Sequence, residues 1–143
     1  MVLKNLAPRV ITPQTNVYAH ISEITPILPG LYLSSLMAAR NPTTLADLGI
    51  THILTILDFS VSFAPWTGRR LVLNLSDGTE SDLLSRLDEC VDFIQGGIKD
   101  DGKVLVHCMQ GLSRSVCVVV GFLVRVEGVG AEEGLKIVQE KRG

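Results

Sequence analysis

Cysteine is too scarce in this chain to build either of the structures it usually builds. Three cysteines, Cys90, Cys108 and Cys117, occur among 143 residues, an odd number without regular spacing. That excludes a disulfide framework, and no CxxC pair is present to form a zinc site. The three histidines, His20, His52 and His107, are just as scattered. No metal or other cofactor is therefore expected. A surplus of one charge is missing too. The net charge of −2 argues against a general nucleic-acid or membrane partner, so any affinity for phosphate must be local. No uninterrupted apolar run approaches the ~20 residues that span a bilayer; residues 116–126 fall short. The opening MVLKNLAPRV lacks the apolar core of a signal peptide and the second-position glycine of a myristoylation site. Repeats and low-complexity tracts are absent. A cysteine that acts as a thiol suits a reducing compartment, so the expectation is a cytoplasmic protein, with the nucleus as a further place.

What is present reads as one globular domain: 46% hydrophobic and 20% charged residues over 143 positions are enough for a real core. Residues 1–23, with Pro8 and Pro13 among polar residues, read as an extension, and the domain as 24–143. ITPILPGLYLSS from Ile24 predicts two short strands turning at Pro29-Gly30. Asn41-Pro42 caps a short helix ending at Gly49. Residues 50–57 and 71–75 read as two buried strands. A polar turn region between them carries Trp66, expected to pack on the sheet rather than line a groove. One amphipathic helix is expected over 81–98, capped by Ser81 and Asp82, with Leu83, Leu84, Leu87, Val91, Ile94 and Ile98 on its apolar stripe and Cys90 as core filler. A final helix over 131–141 turns Leu135, Ile137 and Val138 inward. Strands alternating with helices predict an α/β domain: a central, mostly parallel sheet with helices on both faces. In such a sheet a ligand belongs at the carboxyl ends of the strands.

The chain is organised around KVLVHCMQGLSRSVCVVV, residues 103–120. An apolar strand, Val104 to Val106, breaks into a short polar loop and resumes as an apolar helix over 116–126. A strand, a loop and a helix in that order aim free backbone N–H groups and the positive end of the helix dipole into the loop, which makes an anion site. Cys108 opens the loop, where inward-pointing amides should hold its thiol below the usual ~8.5. Arg114 closes it with a planar, permanently charged fork that suits two phosphate oxygens. Gly111 stands where a backbone curling round a ligand needs positive φ or close approach. Ser113 and Ser115 supply hydroxyls for the thiolate or for the loop. Cys-x5-Arg thus puts a nucleophile and an oxyanion clamp on one phosphate-sized ring of amides. The rival reading, a buried cysteine at a strand end, would bury Arg114 without an anion, which is expensive.

HCMQGLSRS, residues 107–115, matches the HCxxGxxR[ST] signature of the cysteine-dependent protein phosphatases. VLVHC…GLSRSV and the PGLYLSS opening resemble the dual-specificity subgroup, in its small atypical form. The resemblance covers about residues 24–143. It implies the protein tyrosine phosphatase-like fold, and a protein phosphatase that cleaves phosphotyrosine and phosphoserine/threonine esters through a cysteinyl-phosphate. Cys108 would be the nucleophile and Arg114 the phosphate clamp, with the amides of Met109, Gln110, Gly111, Leu112, Ser113 and Arg114 holding the phosphate oxygens. Ser115 would assist release of the thiolate, and His107 would orient the loop. A leaving oxygen needs a proton. Asp77, at the end of a strand and ahead of Phe93-Ile94 at the family's spacing, is the expected general acid and base, with Glu80 and Asp82 as chemical rivals. His52 is expected to be structural. Cys117 reads as a buried helix residue, with a disulfide to Cys108 as its alternative. Gln110 departs from the small alanine usual before the loop glycine. Relatives continue through a further helix with an asparagine and a Gln-Leu pair, so the helix after the loop is expected to be under-covered. The implied partner is a phosphoprotein. A non-catalytic phospho-binding scaffold on the same fold, or a phosphatase of phosphoinositides, RNA 5′ ends or sugars, stay open as alternatives.

Overall fold

The computed structural model describes residues 23–75 and 80–142. The extension read over residues 1–23 therefore lies, apart from Glu23, outside the described residues. Strands β1 (Thr25–Leu28) and β2 (Leu31–Ser34) form a hairpin turning at Gly30, whose φ of 85° only glycine adopts easily. A short helix α1 (Leu36–Ala39) follows, capped by the Ser35 side chain; nothing in the sequence pattern announced it. Helix α2 (Pro42–Leu48) starts three residues earlier than its apolar residues suggest. Asn41 accepts hydrogen bonds from the Thr43 and Thr44 amides, Pro42 occupies the first turn, and Gly49 ends the helix in the left-handed conformation.

Strand β3 (His52–Leu57) is buried along its whole length, as a central parallel strand must be when both faces are covered. It lies between β4 (Arg69–Asn74) and β5 (Val104–His107), giving the order β1-β2-β5-β3-β4, parallel except for the β1–β2 hairpin. Alternation along the strands divides the core in two. Leu54, Ile56, Leu73, Val104, Val106 and Cys108 face one helical layer. Ile53, Leu57 and Leu105 face the other with Leu36, Leu45 and Phe63. Each large side chain so enclosed contributes roughly 1.5–3 kcal/mol. Trp66 packs against this second cluster and donates to the Ile50 carbonyl at 2.8 Å, so it is a packing residue.

Several expectations need correction. The strand read as buried over 71–75 is an edge strand in which Val72 is half exposed and Leu73 alone is fully enclosed. The helix read over 81–98 is two, α3 (Glu80–Ser85) and α4 (Leu87–Lys99), separated at Arg86. Leu84 points outward because the break carries it off the stripe. Asp82 sits inside α3 rather than at its cap, since the helix begins at Glu80. The helix after the loop, α5 (Arg114–Phe122), begins two residues before its apolar run and passes into a π-helical turn, Leu123–Glu127. In α6 (Ala131–Arg142) Val138 is buried, whereas Leu135 faces solvent. Helix α5 is buried along one face and open at Cys117. Packing against α4, α6 and the sheet leaves Val118, Val119 and Phe122 at most 2% exposed. No helix among the described residues is long and apolar enough to cross a membrane.

Candidate active site

Because β2, β3, β4 and β5 run parallel, their carboxyl ends open on one edge of the sheet. The chain leaves β5 there at Cys108 and re-enters regular structure at Arg114. Gly111 makes the intervening curl possible. Its φ is 72°, and a Cβ at this position would stand 2.7 Å from the Ser34 carbonyl oxygen. The loop therefore rests backbone on backbone against the end of β2. The Leu36 amide fixes it further by donating to the Met109 carbonyl at 2.9 Å. The Ser113 and Ser115 amides at the head of α5 act on the Cys108 sulfur, as donors at a helix N-terminus can for an anion.

The Cys108 sulfur lies 3.1 Å from the Ser115 hydroxyl and accepts from the Gly111 amide at 3.2 Å. Burial pushes its pKa up. The Ser115 hydroxyl and the amides of Ser115, Gly111 and Ser113 outweigh that effect, so the thiol ends below its ordinary value. Cys108 lines a pocket of about 420 Å³ with Met109, Gln110, Leu112, Ser113 and Arg114. Met109 and Leu112 are half exposed and give the rim an apolar character. Since the Ser115 hydroxyl is the largest effect favouring thiolate, Ser115→Ala should move alkylation of Cys108 by iodoacetamide to higher pH; an unchanged pH profile would show that the amides suffice.

Arg114 lies in the first turn of α5, and its guanidinium donates to the Leu75 carbonyl at 2.8 Å. Arg114 is thereby tied to the end of β4. Asp77 lies outside the described residues, two positions past that carbonyl in sequence. Among its rivals, Asp82 is exposed on α3.

His107 is fully buried, with Nδ1 3.0 Å from the Cys108 carbonyl oxygen and Nε2 2.9 Å from Thr55 Oγ1. Burial is the main reason its pKa falls, to about 4; the Cys108 carbonyl opposes the fall, and the charges of Arg70 and Arg114 add to it. The ring is neutral at pH 7. An unfolded chain would protonate this imidazole near ~6.5, while the folded one resists to about 4. Stability should thus be full above pH 6.5 and decline by about 3 kcal/mol as pH falls toward 4. Urea midpoints at pH 7 and pH 4.5 would test this, with the drop much smaller in His107→Asn. His52, also shifted down by burial, bonds Thr51 and meets the Phe93 ring edge, and so serves packing.

The other two cysteines stand apart from this chemistry. Cys90 is buried and its pKa is pushed up to about 11, mainly by burial, which makes it inert. Cys117 is exposed on α5, correcting its reading as a buried residue, and no disulfide joins the three cysteines. Among the described residues no cluster of His, Cys, Asp and Glu could hold a metal.

Reading the sequence missed one residue at the loop. Arg142, at the end of α6, donates to the Gly111 carbonyl. Burial lowers its pKa, against the raising effects of Cys108 and Glu23. In sequence it looks like an ordinary basic residue at a helix C-terminus, and nothing local marks it.

Known proteins resemble this chain in sequence and in fold. The family described as dual specificity phosphatase, catalytic domain, matches residues 31–143. Dual specificity protein phosphatase 1B of Arabidopsis thaliana is 36% identical over 123 residues, which cover 84% of this chain and 72% of that protein. Dual specificity protein phosphatase 12 of Rattus norvegicus is 37% identical over 132 residues, 89% of this chain but 38% of that protein. The crystal structure of a human tyrosine phosphatase-like serine/threonine/tyrosine-interacting protein superposes with a TM-score of 0.78 at 31% identity, covering 85% of each chain.

Proposed function

The chain belongs to the dual specificity phosphatase family, and from that premise we propose that it is a protein phosphatase acting through a cysteinyl-phosphate on phosphotyrosine and phosphoserine/threonine. The observation that carries the proposal is the Cys108 sulfur, held by the Ser115 hydroxyl and the Gly111 amide at the mouth of a pocket that Arg114 flanks. The Cys108 thiolate attacks phosphorus in line as the ester P–O bond breaks. Arg114 and the amides of the Met109–Arg114 loop receive the charge on the equatorial oxygens. Asp77 gives a proton to the leaving oxygen and, as a carboxylate, takes one from the water that then attacks phosphorus. The S–P bond breaks, and the Ser115 hydroxyl donates to the departing thiolate. His107, neutral and tied to the Cys108 carbonyl, holds the loop and transfers no proton. A working thiolate suits a reducing cytoplasm.

Turnover of a generic aryl phosphate, followed by a phosphopeptide panel, tests the proposal. Binding of phosphopeptide without turnover would instead favour a phospho-binding role. The acid has its own test. Asp77→Asn should lower kcat/KM for an alkyl phosphate by about 10²-fold or more, and for a nitrophenyl ester, whose leaving group needs little help, by far less. An equal effect on both esters would place the acid elsewhere.

A further inference from the structure

Across β4, β3 and β5 a chain of hydrogen bonds runs toward the phosphate loop in one direction. A carbonyl oxygen can only accept, so the contact between His107 Nδ1 and the Cys108 carbonyl, 3.0 Å, requires the proton on Nδ1. In the neutral ring Nε2 is then bare and must accept from the Thr55 hydroxyl at 2.9 Å. Thr55 has one proton to give, and it goes to His107. Its oxygen is free to receive, and it accepts from an Arg70 guanidinium nitrogen at 2.8 Å. Arginine donates at every nitrogen and cannot lose its proton in a protein, so it cannot sit beside a donated hydroxyl proton. The acceptor-only carbonyl at one end and the donor-only guanidinium at the other thus select the same direction for every bond between them.

We infer that Arg70 is a positioning residue, which sets the Nδ1–H tautomer of His107 through Thr55 and so fixes the Cys108 carbonyl from which the phosphate loop turns. The sheet supplies the alignment. Thr55 and His107 are register partners on β3 and β5, while Arg70 is paired with Ile53 two residues earlier on the same face. Arg70 is itself held. It donates to the Val61 carbonyl at 2.9 Å, and its guanidinium lies 4.6 Å from the Phe63 ring centre, whose edge meets His107. Its Nε is buried without a hydrogen-bond partner, an arrangement that costs stability. The charged side chains acting on the His107 ring are Arg70 and Arg114. Removing Arg70 leaves the second in place.

The inference rests on the phosphatase reading for its rates alone, and its spectroscopic arm stands without them. In protein labelled with ¹⁵N-histidine at pH 7, long-range ¹H–¹⁵N spectra should show His107 protonated at Nδ1 and bare at Nε2. Arg70→Met keeps the aliphatic stem over Phe63, and Thr55→Val keeps the shape of the threonine. In each variant His107 should show a mixture of tautomers, and in Arg70→Met, which removes a nearby positive charge, it should also take up a proton at higher pH than in the wild type. Each should lower kcat/KM for an aryl phosphate by about tenfold. The double variant should do no more than the worse single one, because both act through one chain. Arg70→Lys, which keeps a charged donor, should retain the Nδ1–H form. An Nε2–H ring in the wild type, unchanged ring signals in Arg70→Met, or additive effects in the double variant would each overturn the inference. If no phosphate ester is turned over at all, the ring signals still decide it, and only the phosphatase reading falls.

Discussion

Cys108→Ser is expected to abolish turnover of phosphate esters, by about 10⁴-fold or more, with the fold intact. The substitution replaces one atom in a site that is otherwise unchanged. A serine hydroxyl would still meet Ser115 and the Gly111 amide. Those donors lower a thiol from a starting point already near neutral, however, and an alcohol begins far above any shift they can supply. The variant should bind phosphopeptides as tightly as the wild type or more so, because the repulsion between thiolate and phosphate dianion is gone. A stopped assay with an aryl phosphate and a binding titration with a phosphotyrosine peptide separate the two effects. Residual turnover within tenfold of wild type would mean that another nucleophile operates.

Arg114→Lys should be nearly as severe, with a loss of kcat/KM of about 10³-fold divided between KM and kcat. Lysine keeps the charge, so a purely coulombic role would survive the change. What it loses is the planar fork that can hold two oxygens while a further nitrogen donates to the Leu75 carbonyl at 2.8 Å. An ammonium serving phosphate would leave that carbonyl, and with it the tie between α5 and the end of β4. Thermal unfolding should shift little, since Arg114 lies only partly buried in the first turn of its helix. Full activity in Arg114→Lys would reduce the residue to a point charge.

How much of this was legible in the sequence depends on how local each signal is. The strand, loop and helix around Cys108 stand out because two apolar runs frame a polar interval. The hairpin at Gly30, the cap at Asn41 and the stop at Gly49 follow from residues with narrow conformational preferences. The true start of α5 was hidden because its first two residues, Arg114 and Ser115, are polar and read as loop. The break at Arg86 and the outward turn of Leu84 were hidden because leucine at both 83 and 84 fits a stripe on paper. An edge strand and a central strand of the composition LVLNL look alike until the sheet order is known. The bonds from Arg114 to Leu75, from Arg142 to Gly111 and from Thr55 to His107 join residues far apart in sequence, and topology alone brings them together. Asp77 lies outside the described residues, so its place rests on the sequence.

The backbone seat of Gly111 on Ser34 has a consequence for when reactivity arises during folding. The loop touches the end of β2, the start of α1 and the end of α6. These contacts close large loops of chain, and such closures are the slow and entropically costly part of assembly. A partly folded molecule with β5 and α5 formed, but β2 not yet docked, would keep the Ser115 donors beside Cys108 and lack the seat that holds the Gly111 amide on the sulfur. The full lowering of the thiol is therefore expected only once β2 has closed against the loop.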